Sequence, residues 1–100
     1  MTVLIVDDDE DFRDMVALAL SSEGFETETA ADGELALGFL RRAPAPSLVF
    51  LDLRMPGLNG FEVLFAARND AAIAAIPIVV MTGDSASVPR ALAAGADACP

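Results

Sequence analysis

Three short apolar runs, Val3–Val6 (mostly β-branched), Leu48–Leu51 and Ile78–Met81, are separated by segments whose apolar residues recur at helical spacing. Each run is too short for a core helix and too continuous for a strand with one wet face. Such runs suit strands buried on both faces. Between them, Phe12, Met15, Val16, Ala19 and Leu20 form one helical stripe, with Gly24 as its stop. Phe25–Ala30 alternates in character, as an edge strand does. Asp32-Gly33 makes a turn, and Leu35, Phe39 and Leu40 mark a second helix ending near Arg41-Arg42, before the Pro-containing loop 43–46. Met55-Pro56-Gly57 turns the chain into a third stripe, Phe61, Leu64 and Phe65. A last helix, roughly Val88 to Ala94, stops at Gly95. Strands separated by helices predict an α/β fold with a parallel sheet, right-handed crossovers and helices on both faces.

The 100 residues make one domain, 1–100, and the charge balance narrows its chemistry. Sixteen acidic residues oppose six basic ones, a net of −10, and all six are arginine. A face for a nucleic-acid backbone must be cationic, so direct contact with nucleic acid is not expected. The absence of histidine removes Ser-His-Asp and Cys-His catalysis and His-ligated zinc. One cysteine, Cys99, excludes an internal disulfide framework. The apolar runs are too short for a membrane span, and the start leads straight into a strand and then an acidic stretch, Asp7–Asp11. The chain reads as cytoplasmic.

Ligands of open parallel sheets sit beyond the carboxyl ends of the strands. Here those ends carry Asp7-Asp8-Asp9, Asp52 and Thr82, which the apolar runs do not explain. If the three strands are neighbours, these groups meet in one crevice. Two carboxylates about 4 Å apart repel by about 4 kcal/mol at an effective dielectric near 20. They therefore raise a pKa or hold a cation. An all-oxygen set suits Mg²⁺, which keeps waters and completes its shell with a phosphate. Among the groups available, Asp52 is the credible nucleophile, giving an acyl phosphate. An EF-hand reading of Asp7, Asp9 and Asp11 fails at Phe12, where glycine is required. An Asp-x-Asp phosphatase reading of Asp52 fails at Arg54, which holds the second acid's place.

Val-Asp-Asp-Asp at 6–9, Leu-Asp-Leu-Arg-Met-Pro-Gly-Leu-Asn-Gly at 51–60, Met-Thr-Gly at 81–83 and Ala-Gly-Ala-Asp at 94–97 together resemble a response-regulator receiver domain. The resemblance spans the whole chain. It implies a flavodoxin-like, doubly wound sheet of order 2-1-3-4, with the family's fifth strand and fifth helix missing. It implies that Asp52 accepts a phosphoryl group from a histidine kinase or histidine phosphotransfer protein, in a two-component phosphorelay. The implied Mg²⁺ ligands are Asp52, Asp8 directly, Asp7 through water, and the backbone carbonyl of Arg54. Thr82 and Gly83 are the implied phosphoryl contact and switch. Asp9 is read as the cap of the first helix.

Two departures stand beside the resemblance. The family's lysine, placed shortly after Gly-Ala-Asp, would fall about two residues beyond Pro100, and Cys99 takes the place of the usual aromatic. A non-catalytic docking or dimerisation adaptor is the rival reading, with a homodimer as a possible assembly. Missing terminal elements predict an exposed edge at Ile78–Met81 and a partly uncovered first helix. Arg54 and Asp84, each two residues past a site residue, are expected to face each other across the pocket mouth and slow water's attack on the phosphate.

Overall fold

The computed structural model describes residues 1–54, 59–82 and 85–99. Its elements are β1 (Thr2–Val6), α1 (Glu10–Ser22), β2 (Glu26–Ala30), α2 (Gly33–Arg41), β3 (Leu48–Asp52), α3 (Gly60–Arg68), β4 (Ile78–Met81), a 3-10 turn (Ser85–Ser87) and α4 (Val88–Ala93). The four strands are parallel, in the order β2-β1-β3-β4. The expected architecture and strand order are therefore observed, with β2 at one edge.

Side chains alternate between the two faces of a strand. Leu4 and Val6 of β1, Val49 and Leu51 of β3, and Ile78 and Val80 of β4 share one face, as the strand register requires. They are buried in one cluster with Ala36, Leu37 and Leu40 of α2, Val63, Leu64 and Ala67 of α3, and Ala91 of α4. The opposite face carries Val3, Ile5, Phe50 and Val79, and there Phe50 and Val79 are only half-buried. α1 packs along β1 and β2. It contains no buried residue, and Met15 and Leu18 are 59% and 70% exposed. The stripe read from the sequence is thus half right. Phe12, Val16 and Leu20 are half-buried, whereas Met15 and Ala19 face outward.

The free edge expected at Ile78–Met81 needs a correction. Asp97 N–H donates to the Ile78 carbonyl (2.8 Å), and Val80 N–H donates to the Ala98 carbonyl (2.9 Å). Ala98 thereby makes an isolated parallel bridge with Val79, so part of the β4 edge is already paired. Arg68, at the end of α3, braces this corner. Its guanidinium donates to the carbonyls of Gly95, Ala74 and Ile76 and to the Asp97 carboxylate, which also accepts from Ile78 N–H. Gly95 ends the α4 segment at φ +114°, a conformation that glycine tolerates and other residues resist. Gly24 ends α1 in the same way, at φ +92°. Cys99 is partly buried against the core, as a small apolar residue would be.

Candidate functional site: an acidic pocket at the strand ends

The register brings the polar strand ends together. Val6 pairs with Leu51, and Asp52 pairs with Met81. One residue past Val6, Asp7 N–H still donates to the Ala30 carbonyl of β2 (3.2 Å), so Asp7 continues the ladder at the level of Asp52. Asp7, Asp8 and Asp52 each place a carboxylate oxygen within 4.8 Å of the other two. Asp7 is 8% exposed, and it is the buried charged residue among those described. The pocket, about 360 Å³, is lined by Asp7, Asp9, Phe12, Asp52, Met81 and Thr82.

Local turns aim the two principal acids. Asp9 N–H donates to Asp7 Oδ1 (2.9 Å), and Arg54 N–H donates to Asp52 Oδ1 (3.1 Å), so each carboxylate is held by the amide two residues on. The Asp7 carbonyl is fixed in turn by Arg13, whose Nη1 donates to it at 2.9 Å from the first turn of α1. Asp9 caps α1 by accepting from Phe12 N–H (3.2 Å), as its position after the first strand predicts. α3 is fastened just behind Asp52. Asn59 and Glu62 form a reciprocal capping box, and Gly60 N–H donates to the Leu53 carbonyl (3.3 Å). Gly60 is required there, because a Cβ would lie 2.5 Å from the Asp52 carbonyl oxygen and 2.6 Å from Leu53 Cα.

Burial pushes the Asp7 carboxyl above the ordinary value near 3.8, opposed by the Asp9 amide and reinforced by the charges of Asp8 and Asp9. Burial likewise pushes Asp52 up, opposed by the Arg54 amide and reinforced by Asp7 and Asp8. Both shifts record the same condition, negative charge concentrated where water is scarce. A hard divalent cation relieves it, and the donor set fits one. The three carboxylates supply oxygen ligands alone; an octahedral shell of 2.0–2.1 Å bonds spans about 4.2 Å, so a group lying within 4.8 Å fits an ion with a small inward shift or with one carboxylate held through water.

The structure therefore brings Asp7, Asp8, Asp52 and Thr82 to one pocket end, with the Arg54 backbone beside Asp52. Gly83 and Asp84 lie outside the described residues, as does the turn at Met55-Pro56-Gly57. Three contributors are not marked as such by the sequence. Phe12 belongs to a helical stripe yet lines the pocket, Met81 ends an apolar strand run and lines it too, and Gly60 closes the 51–60 motif with no local sign of its close approach to β3.

The family model for the response regulator receiver domain matches residues 3–99. The chain belongs to the response-regulator receiver family. Over 97 residues it is 40% identical to the DNA-binding response regulator MtrA of Mycolicibacterium smegmatis, covering 95% of this chain and 41% of that protein. It is 35% identical over 105 residues to the alkaline phosphatase synthesis transcriptional regulatory protein SphR of Synechococcus elongatus, covering 95% and 40%. This receiver thus spans about two-fifths of the length of the curated relatives it matches. Among solved structures, the Vibrio cholerae chemotaxis protein CheY4 superposes with a TM-score of 0.87 at 33% identity, covering 99% of this chain and 83% of that one. The N-terminal domain of a response regulator receiver protein from Methanoculleus marisnigri gives 0.88 at 28%, covering 99% and 81%. No helix among the described residues is long and apolar enough to cross a membrane.

Proposed function

We propose that this receiver is the phosphoacceptor of a two-component relay, with Asp52 taking a phosphoryl group from a phosphohistidine on a kinase or phosphotransfer protein. The observation that carries the reading is the meeting of Asp7, Asp8 and Asp52 within 4.8 Å at the ends of adjacent parallel strands. The Asp52 oxygen not bonded to the Arg54 amide attacks phosphorus, and the N–P bond breaks with its electron pair returning to the donor's ring. Asp8, the Arg54 carbonyl and Asp52 itself would hold Mg²⁺ directly, and Asp7 through water. The bound cation supplies charge neutralisation of the phosphoryl oxygens. Thr82 donates its hydroxyl to the transferred group, and the unmodified and modified forms then differ in the surface beside β4, a population shift. Arg54 and Asp84 are proposed as modulators that slow hydrolysis. The relay is self-catalysed at one carboxylate, and a homodimer is the assembly proposed for output.

Beryllium fluoride, a mimic of the acyl phosphate, provides the test. Fluorine NMR is expected to show bound fluoride resonances that need Mg²⁺ and vanish in Asp52→Asn. Absence of bound signals in the parent protein at saturating Mg²⁺ would sink the phosphoacceptor reading and favour the docking adaptor.

A further inference from the structure

The acidic pocket has an apolar wall that acid and cation chemistry do not require. Phe12 and Met81 line it together with Asp7, Asp9, Asp52 and Thr82. Met81 is placed by the sheet, directly beside Asp52 in the β3–β4 register. Phe12 is placed by the helix start, where its own amide donates to the capping Asp9 carboxylate. It is half-buried, as are Val16 and Leu20 of the same helix, which packs along β1 and β2. A large aromatic ring thus lines a charged pocket beside Asp7 and Asp52.

An aromatic ring there offers nothing to a phosphoryl oxygen or to a cation's water shell. It does offer a face to a planar, uncharged or cationic ring carried in with the phosphorus. We propose that Phe12 is a donor-selecting residue, packing against the imidazole of a phosphohistidine while phosphorus is delivered to Asp52. This rests on the phosphoacceptor reading above. In the step, an Asp52 carboxylate oxygen forms the new O–P bond as the N–P bond breaks. The electron pair returns to the ring nitrogen, and a ring protonated on its other nitrogen leaves as neutral imidazole. Ring–ring packing favours such a donor over acetyl phosphate, which leaves as acetate and has no ring to pack. Offset or edge-to-face aromatic pairs are strong enough to change a rate about two- to tenfold.

The test uses the full chain with Mg²⁺ and compares phosphorylation rate constants for monophosphoimidazole and acetyl phosphate. Phe12→Ala is expected to lower the ratio of the two constants by about two- to tenfold. Phe12→Tyr is expected to keep the parent ratio, and so is Met15→Ala, one turn on and facing solvent. A Phe12→Ala protein that slows both donors equally overturns the proposal, because a mere spacer would not distinguish them. A Phe12→Tyr protein that loses the ratio overturns it as well. If the parent protein accepts from neither donor, the phosphoacceptor reading itself fails and the inference falls with it, a result distinct from an unchanged ratio. Since no side chain of α1 is fully buried, Phe12→Ala is expected to fold, and circular dichroism verifies it.

Discussion

Two glycine-to-alanine substitutions should change stability in opposite directions, for reasons read directly from the backbone. At Gly60 a Cβ would sit 2.5 Å from the Asp52 carbonyl oxygen, 2.6 Å from Leu53 Cα and 3.0 Å from Leu53 Cδ2. Comfortable contact needs roughly 3.5 Å, so the start of α3 must withdraw by about 1 Å. The nearest atoms are main chain at the end of a central strand, and they cannot rotate aside. Overpacking of this kind costs about 1–3 kcal/mol. Alanine's better helix propensity returns about 0.5–1 kcal/mol. A net loss of about 1–2 kcal/mol corresponds to a fall in Tm of about 5–15 °C for a domain this size. At Gly38, inside α2, nothing lies within 4 Å of the added methyl. There only the propensity gain remains, and Tm should rise by about 2–8 °C. Thermal melts followed by circular dichroism decide the matter. A Gly60→Ala protein as stable as the parent, or a Gly38→Ala protein less stable, would refute the reasoning.

Burial and neighbouring carboxylates raise Asp52, so between 3.8 and its folded value the native chain holds more protons than the unfolded one. Stability from this group is full below 3.8 and is lost as pH rises through the folded value, so Asp52→Asn should be more stable than the parent in urea at neutral pH. That advantage should disappear below 3.8, and an equal stability at both pH values would contradict the strain assigned to the site. Mg²⁺ at a hundred times its Kd should stabilise the parent by about 2.7 kcal/mol, and Asp8→Asn should abolish the rise in Tm. Arg68→Met should cost about 2–4 kcal/mol in urea titrations, because it removes the donor to the carbonyls of Gly95, Ala74 and Ile76.

Much of this was legible in the sequence because the central strand β1 is buried on both faces and the runs in β3 and β4 are apolar along their length. Val3–Val6 has no polar residue to blur its character, and the break at Asp7 marks the strand end where ligands collect. The same holds for Leu48–Leu51 and Asp52, so the pocket's acids could be named before their geometry was known. α1 was harder. Its apolar residues occupy more than one face, and the period alone does not tell which of Met15 and Val16 points inward. Phe12 shows the same ambiguity in a sharper form, since an aromatic at a helix start reads as core until the strand ends are placed around it. The roles of Arg68 and Gly60 depend on atoms distant in sequence, the carbonyls at 74, 76 and 95 and the Asp52–Leu53 backbone. No local pattern announces such contacts. The pairing of Ala98 with Val79 was hidden for a related reason, because one bridge leaves no periodicity to detect.

The central claim is that Asp52 is a phosphoacceptor served by a cation held among Asp7 and Asp8. Intact mass spectrometry after incubation with acetyl phosphate tests it most directly, with and without Mg²⁺, and with Asp52→Asn in parallel. The account predicts a gain of one phosphoryl group in the parent protein only when Mg²⁺ is present, and none in the variant. An equal gain in Asp52→Asn, or no gain in the parent protein with Mg²⁺ present, would contradict it.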